Sequence, residues 1–596
     1  MSLLSILAGL LPFAGSDTLV VDNFACLDQN GTFQRLYRHA DAKLVVLYVY
    51  ANDCPIVRHS AGELRELVAG FEPRGVRFLG LDPAPHDGRA SVAAQASELE
   101  LAFPILLDDT QCVAEMLEVK RTGEALVIST ANWALLWRGP LDDRLDYGAQ
   151  GTTATRHYLR EALEALLQGA KPPEGAPAPK GCAITFLQPR KGHEVDYARD
   201  VAPILARSCV PCHRKGGIGS WSMDGYERVH GFAAMTREVL LARRMSPWQP
   251  DPMHGRFTSE LGLAPGEMRT LLHWIERGAP RGEGEDVLAK VAQPLPEWPL
   301  GPPDLVIELP EQKIPATGRF PYRKPEVQLD LETDLWVRAV DLRPSNPEVL
   351  HHAFFFIRVK EETEELEERL EKLPPERRAK VLAWLEKKGN SLNAPPEAMK
   401  VFDSRAFAWY GPGQGIDEFP AGTGKLMPAH ATLAFQLHYV PNGVATTDRP
   451  RVGLYFHESK PARELKVTTA ANTDLVLPPG ARAVPVSGEH VFKQDLRLYA
   501  MFPHMHYRGR SMRFTAVLPD GSREVLLSVP EFSFDFQVMY RLAEPRLLPA
   551  GTRLVCDAVY DNSKTNETNP DPSVTVKWGA RSTDEMFLGY ALYTVE

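Results

Sequence analysis

The sequence predicts a multidomain chain: an α/β domain, then an all-α domain, then two all-β sandwich domains. Three observations predict that order. The chain has 596 residues, a length that suits about four domains. Proline-rich stretches at 171–180 (KPPEGAPAPK) and 293–303 (QPLPEWPLGPP) cut it into three blocks. The hydropathy period changes between blocks, from alternating apolar runs and helical patterns, to short helices with Pro and Gly turns, to short alternating strands. Composition excludes other classes. Lys+Arg 67 against Asp+Glu 77 gives a net charge of −10 with no long basic run, which removes the footprint of a nucleic-acid binder. Hydrophobic content of 44% and charged content of 24% describe a folded chain, and seven cysteines are too few for a disulfide scaffold. No apolar run reaches the roughly 18 to 20 residues of a membrane span, so no integral membrane segment is expected. The 17 histidines, several of them clustered, are left unexplained by composition.

The first domain is expected over 16–170. Apolar runs at 44–50, 76–81 and 125–128 alternate with amphipathic patterns at 60–71 and 155–167. Ahead of it, 3–14 is an apolar stretch of signal-peptide length, so 1–15 is a candidate export signal. It lacks a Lys or Arg before the apolar core and ends in a poor cleavage site, and it reads equally as a buried first strand or helix. The strand at 44–50 feeds Ala51-Asn52-Asp53-Cys54-Pro55 and a helical pattern, which sets Cys54 at a helix N-terminus where a thiol pKa falls. This pattern resembles a thioredoxin-like or redoxin domain. It also departs from one: Val57 stands where a second cysteine completes C-x-x-C, Ala51 where peroxidase members keep a threonine, and Gly123 in the usual cis-proline slot. A disulfide cycle on Cys54 would need Cys26, Cys112 or Cys182 as partner, and the sequence leaves the three open. Two roles stay in play, a redox or copper-delivery centre and a docking module with a vestigial site.

A linker is expected at 171–192, an all-α domain at 193–290 and a second linker at 291–303. Cys209-Val210-Pro211-Cys212-His213 has the spacing that attaches c-type haem, with Cys209 and Cys212 bonded to the vinyl groups and His213 on the iron. Chance supplies this pattern roughly 0.002 times in such a chain. A zinc half-site would want a second ligand pair, and His230, His254 and His273 are scattered. Residues 197–282 resemble a cytochrome-c-like module of bacterial multidomain proteins, with 242–248 (ARRMSPW) where that family has an M-P-P-W segment. The resemblance assigns Met245 as the second axial ligand, with Met253 next. Covalent haem attachment in bacteria takes place outside the cytoplasm, so a periplasmic or secreted protein is expected, which favours reading 1–15 as an export signal.

Strand patterns at 433–440, 451–456 and 552–560 predict two sandwiches, at 304–460 and 461–596, the first carrying a charged helical insert at 361–390. Histidines recur here as His351-His352, His438 and His504-Met505-His506, followed by Met586. With a strand period of two, His504 and His506 share a face and can converge on one metal while Met505 points away. Two imidazoles and a thioether suit a copper cycling between Cu(I) and Cu(II); three imidazoles suit one that passes electrons. The whole of 304–596 resembles the copper type II, ascorbate-dependent monooxygenases, the peptidylglycine α-hydroxylating monooxygenase group. The resemblance implies two jelly-roll domains facing each other across a cleft. It implies an electron-transfer copper on His351, His352 and His438, and an oxygen-binding, catalytic copper on His504, His506 and Met586. The family's substrate-carboxylate arginine and asparagine are replaced by Phe502 and Leu588, and only the tyrosine, Tyr590, survives. These three mark an expected substrate pocket more apolar than a carboxylate site, and peptide amidation is not expected. His430, His457 and His490 read as structural.

The function expected is therefore an exported copper monooxygenase that hydroxylates an sp3 C–H bond of a small substrate with O2. Its cofactors would be two coppers, one haem c, and ascorbate or another one-electron reductant, with an electron-donor protein as candidate partner. The alternative is a non-catalytic copper-binding or electron-transfer protein; a third reading makes the redoxin domain the active centre.

Overall fold

The run of six apolar residues at Leu44–Val49 is buried on both faces and forms the middle of a five-stranded sheet. The computed structural model describes residues 19–144, 153–187, 194–247, 250–258, 261–294, 296–318, 320–358, 370–371, 373–386, 406–411, 415–579 and 581–596. The candidate export signal at 1–15 lies outside the described residues. The chain divides into two compact units, Met1–His193 with Leu241–Arg243, and Glu194–Leu240 with Arg244–Glu596.

In the first unit the strand order is Ile105–Leu107, Val76–Asp82, Leu44–Val49, Glu124–Ser129, Leu135–Pro140, parallel among the first three and antiparallel for the last two. Period two sorts the central strand: Leu44, Val46 and Tyr48 face helices Pro55–Phe71 and Tyr158–Leu167, while Val45, Leu47 and Val49 face Val113, Ala114 and Leu117. The proline-rich segment expected to be a linker does not hang free. Ala176 packs against the helix-side core, and Ile184 and Phe186 pack on the opposite face.

The second unit opens with short helices, among them Ala202–Ser208, Tyr226–Gly231 and Pro265–Glu276. Apart from Leu241–Arg243, this stretch forms one compact unit with the sheets that follow. The physical reason is local. Asp251 donates its N–H to the Ser528 carbonyl (2.8 Å), Thr258 donates to Arg541 (2.9 Å), and Phe257 is buried among Tyr540 and Leu526.

The β region holds two sheet pairs. In the first, Glu326–Gln328, Thr432–Tyr439, Leu350–Arg358 and Ala406–Tyr410 form one sheet, and Leu335–Arg343 with Arg451–Phe456 form the middle of the facing one. In the second, Lys466–Ala471, Leu588–Val595, Leu496–His504 and Tyr540–Leu548 face Val484–Val491, Arg553–Tyr560, Gly509–Val517 and Arg523–Val529. Of the helical insert, Pro375–Glu386 is a helix and 361–369 lie outside the described residues. No described helix is long and apolar enough to cross a membrane.

Candidate functional site

Strand register gathers the histidines. His352 and His438 are direct cross-strand partners on Leu350–Arg358 and Thr432–Tyr439. Adjacent residues of a regular strand point to opposite faces, yet the His351 and His352 Nδ1 atoms lie 3.2 Å apart. The irregularity between Leu350 and His352 breaks the alternation there. In the second sandwich His504 pairs with Leu588, two residues beyond Met586, so the strand pairing brings Met586 toward the H-x-H end. His504 and His506 rings lie 5.3 Å apart and nearly perpendicular. Met505 turns the other way and is fully buried in the sandwich core, as period two requires. The Met586 side chain is partly buried and its carbonyl accepts the Tyr560 hydroxyl at 2.6 Å.

Phe354 touches both groups, at 5.6 Å from His352 and 5.2 Å from His504, and so does a segment that the sequence reading missed. Phe534 lies edge-on to His352, His438 and His506 at centroid distances of 5.7, 5.2 and 5.7 Å. The Asp535 backbone hydrogen-bonds His351, and the Gln537 Oε1 accepts the Nδ1–H of His504 at 2.6 Å. The alternation Phe532-Ser533-Phe534-Asp535-Phe536-Gln537 was the available signal. Around His506, Glu585 is fully buried and accepts the backbone N–H groups of His506 (2.9 Å) and Arg508 (2.6 Å). The Asp584 carbonyl accepts His506 Nδ1–H at 3.1 Å, which leaves Nε2 as a free lone pair. A cavity of about 530 Å³ lies beside this loop, lined by Arg508, Trp578, Arg581, Thr583 and Asp584.

Burial, followed by the neighbouring imidazoles, lowers the pKa of His438 and of His504 to about 3, and burial lowers His506 to about 4. Both histidine groups are thus neutral near pH 7, the state a metal requires. His438 Nδ1 and Nε2 and His506 Nε2 are buried without a hydrogen-bond partner. Such orphaned nitrogens are costly unless something binds them. Two ligands about 2.0 Å from a tetrahedral ion sit about 3.3 Å apart, close to the His351–His352 nitrogen spacing. The fit is incomplete at His438. Its ring stacks nearly parallel to His352 at 4.7 Å, and the three residues do not bring their donor atoms within 4.8 Å of one another, so that ring must turn to share a metal.

The residues of the expected pocket are buried. Phe502, Leu588 and Tyr590 are 1%, 4% and 3% exposed and belong to one apolar cluster with Phe354 and Trp409 of the first sandwich. These side chains pack between the two sandwiches, Phe502 against Phe354 and Trp409 and Tyr590 against Trp409.

At the haem motif, helix Ala202–Ser208 ends at Cys209, and His213 N–H bonds the Cys209 carbonyl at 2.9 Å. His213 Nδ1–H donates to the Trp221 carbonyl at 2.8 Å, which fixes the tautomer and leaves Nε2 without a proton. A Cβ at Gly219 would lie 2.6 Å from His213 Nδ1, so only glycine lets the chain cross the imidazole there. These features fit a haem ligand. Met245 is 44% exposed and Met253 56%.

In the first unit Cys54 caps the N-terminus of Pro55–Phe71. Its Sγ lies 3.0 Å from Thr122 Oγ1 and 3.1 Å from the Sγ of Cys182. Burial pushes the Cys54 thiol up, but hydrogen bonds from Thr122, Cys182 and the Val57 backbone outweigh it, and the net shift is downward. Thr122 supplies the hydroxyl that Ala51 cannot, and it was not singled out from the sequence.

The AhpC/TSA family model matches residues 20–134. No curated protein matches the chain. Among solved structures, an uncharacterized conserved protein from Geobacillus kaustophilus is 29% identical over 28% of this chain and 92% of its own, with a TM-score of 0.27. A hypothetical protein, SMc02350 from Sinorhizobium meliloti 1021, is 22% identical over 28% and 94% (TM-score 0.27). Peroxidoxin BcpB from Mycobacterium tuberculosis is 25% identical over 20% and 82% (TM-score 0.19). The first unit contains a thioredoxin-like α/β domain, similar over 20–134 to the AhpC/TSA family, and a large all-β region follows in the chain.

Proposed function

We propose that the chain is an exported copper-dependent monooxygenase that hydroxylates an sp3 C–H bond of a small substrate with O2, drawing electrons through a fused c-type haem. The observation that carries the reading is the set of five buried, neutral imidazoles, two of which have orphaned nitrogens, in two groups with the rings of Phe534 and Phe354 against both. His351, His352 and His438 would hold one copper, and His504, His506 and Met586 the other. Cys209 and Cys212 would carry haem, with His213 and Met245 on the iron. When bound, the coppers and haem supply one-electron transfer and oxygen activation. The protein's own contribution is orientation and dryness: Gln537 and the Asp584 carbonyl fix the tautomers of His504 and His506, and Glu585 locks the turn between them and Arg508.

Metal and haem stoichiometry on protein expressed with export tests the core of this reading, with two coppers and one covalent haem per chain expected. Ascorbate-dependent O2 consumption coupled to a hydroxylated product, lost in Met586→Ala, tests the activity. A second reading, a copper-binding electron-transfer protein without catalysis, is favoured by the burial of Phe502, Leu588 and Tyr590, which leaves the expected pocket closed. Tight copper binding with no product across a broad substrate screen would select it.

A further inference from the structure

We propose that Cys54 and Cys182 are a dithiol/disulfide couple that exchanges electrons with an external dithiol, the strap at 181–187 delivering the second sulfur to the redoxin domain. This centre stands independently of the copper reading. The strap is zipped to the domain along its length. Cys182 donates its N–H to Thr122 Oγ1 (2.9 Å), and its carbonyl accepts the Thr122 N–H (3.0 Å). Arg121 and Ala183 form a β-bridge, Ile184 N–H bonds the Lys120 carbonyl (3.0 Å), and Gln111 holds both Thr185 and Leu187. At Gly181 the approach is closest, since a Cβ would lie 1.8 Å from the Thr122 carbonyl oxygen. The strap is therefore built to bring one particular sulfur to Cys54, and the two sulfurs are 3.1 Å apart.

Access sets the order of events. Cys182 is exposed and Cys54 is 3% exposed. When the couple is oxidised, a thiolate of the external dithiol attacks the Cys182 sulfur, forming a mixed disulfide and expelling Cys54 as thiolate. Thr122 and the N-terminus of Pro55–Phe71 stabilise that leaving sulfur, and the better-stabilised thiolate leaves faster. The second thiol of the external molecule then attacks the mixed disulfide and releases Cys182, which takes up a proton. Two electrons pass from the dithiol to the protein, one of its two protons ends on Cys182 and the other is released to water while Cys54 stays a thiolate, and the external molecule leaves as its disulfide.

The test uses the full chain, with dithiothreitol and its cyclic oxidised form as the redox pair, read by alkylation and peptide mass mapping. Oxidation should remove two alkylatable thiols and join the Cys54 peptide to the Cys182 peptide. Cys54→Ser and Cys182→Ser should each abolish the link. Gly181→Ala, which keeps both sulfurs, should shift the equilibrium toward the dithiol by about tenfold. In Cys54→Ser, a monothiol disulfide such as oxidised glutathione should be captured at Cys182. A Cys54 peptide linked instead to Cys26 or Cys112, or Cys54 and Cys182 both fully alkylatable after oxidation of the wild type, would overturn the proposal.

Discussion

The two units each hold a pair of soft donor atoms at nearly the same separation, 3.1 Å between the Cys54 and Cys182 sulfurs and 3.2 Å between the His351 and His352 nitrogens. Their chemistry differs in what can close the gap. Two sulfurs can bond to each other by giving up two electrons and two protons, so the thiol centre is complete within the chain. Two imidazole nitrogens cannot, and they need a shared proton or a metal between them. The surroundings match this difference. Cys54 is hydrogen-bonded by Thr122 and its partner sulfur is open to solvent, whereas both His438 nitrogens are buried with no partner. A self-sufficient pair is placed at the surface, and a pair that depends on a third body is placed in the interior.

The largest expected effect separates the two centres outright. His506→Ala should remove one copper and all hydroxylation, while leaving the Cys54–Cys182 link and its redox equilibrium unchanged; metal analysis, product assay and thiol mapping on one preparation check all three. Loss of the thiol chemistry in that variant would mean that the centres are coupled.

Next in size is the response to acid. An unfolded imidazole titrates near 6.5, while His438 and His504 are lowered to about 3 and His506 to about 4, by burial first. Below pH 6.5 the unfolded chain therefore binds protons that the folded chain refuses, and stability falls as pH falls. At pH 5 each histidine costs up to about 2 kcal/mol, since one unit is worth about 1.4 kcal/mol. Urea denaturation of the metal-free protein from pH 7.5 to pH 5 should show this loss, and a flat profile would disprove the neutral-imidazole description.

What the sequence revealed of each centre follows from the range of the interactions. Cys54 at a helix N-terminus and Met505 turned away from His504 and His506 are local consequences of a strand feeding a helix and of period two, and both are present. The Cys182 partnership spans 128 residues and depends on the path of a proline-rich strap, which no local pattern encodes. Phe534 is invisible for a similar reason: its role depends on a loop of one sandwich meeting the histidines of the other. Phe502, Leu588 and Tyr590 were legible as apolar, but apolar residues serve a pocket and a packed interface equally, and only the facing Phe354 and Trp409 decide between them.

A smaller effect is expected at Glu585, which burial pushes up to about 8. Glutamine matches the neutral acid in shape, but both carboxyl oxygens accept backbone N–H groups, from His506 and from Arg508, and an amide nitrogen accepts neither. Glu585→Gln should cost about 1–3 kcal/mol of stability and weaken copper at His504 and His506 while sparing the His351 group. Thermal unfolding and copper titration resolve the two effects.

The smallest effect is expected at Tyr322, whose hydroxyl lies 3.0 Å from His352 Nε2. In the metal-free protein one proton can be shared between the facing Nδ1 atoms of His351 and His352, and the phenol then donates to His352 Nε2. When a metal takes the Nδ1 lone pair, the proton must move to Nε2, and the phenol becomes the acceptor. A hydroxyl serves in both roles, so the tyrosine can follow the imidazole through the change of tautomer. Tyr322→Phe keeps the ring that packs 4.8 Å from His438 and removes only this function. Copper affinity at the His351 group should fall by about 10-fold to 100-fold, the usual worth of a partner behind a ligand histidine, with the His504 group unchanged. Equal weakening at both groups would show that the hydroxyl acts through packing and not through the proton of His352.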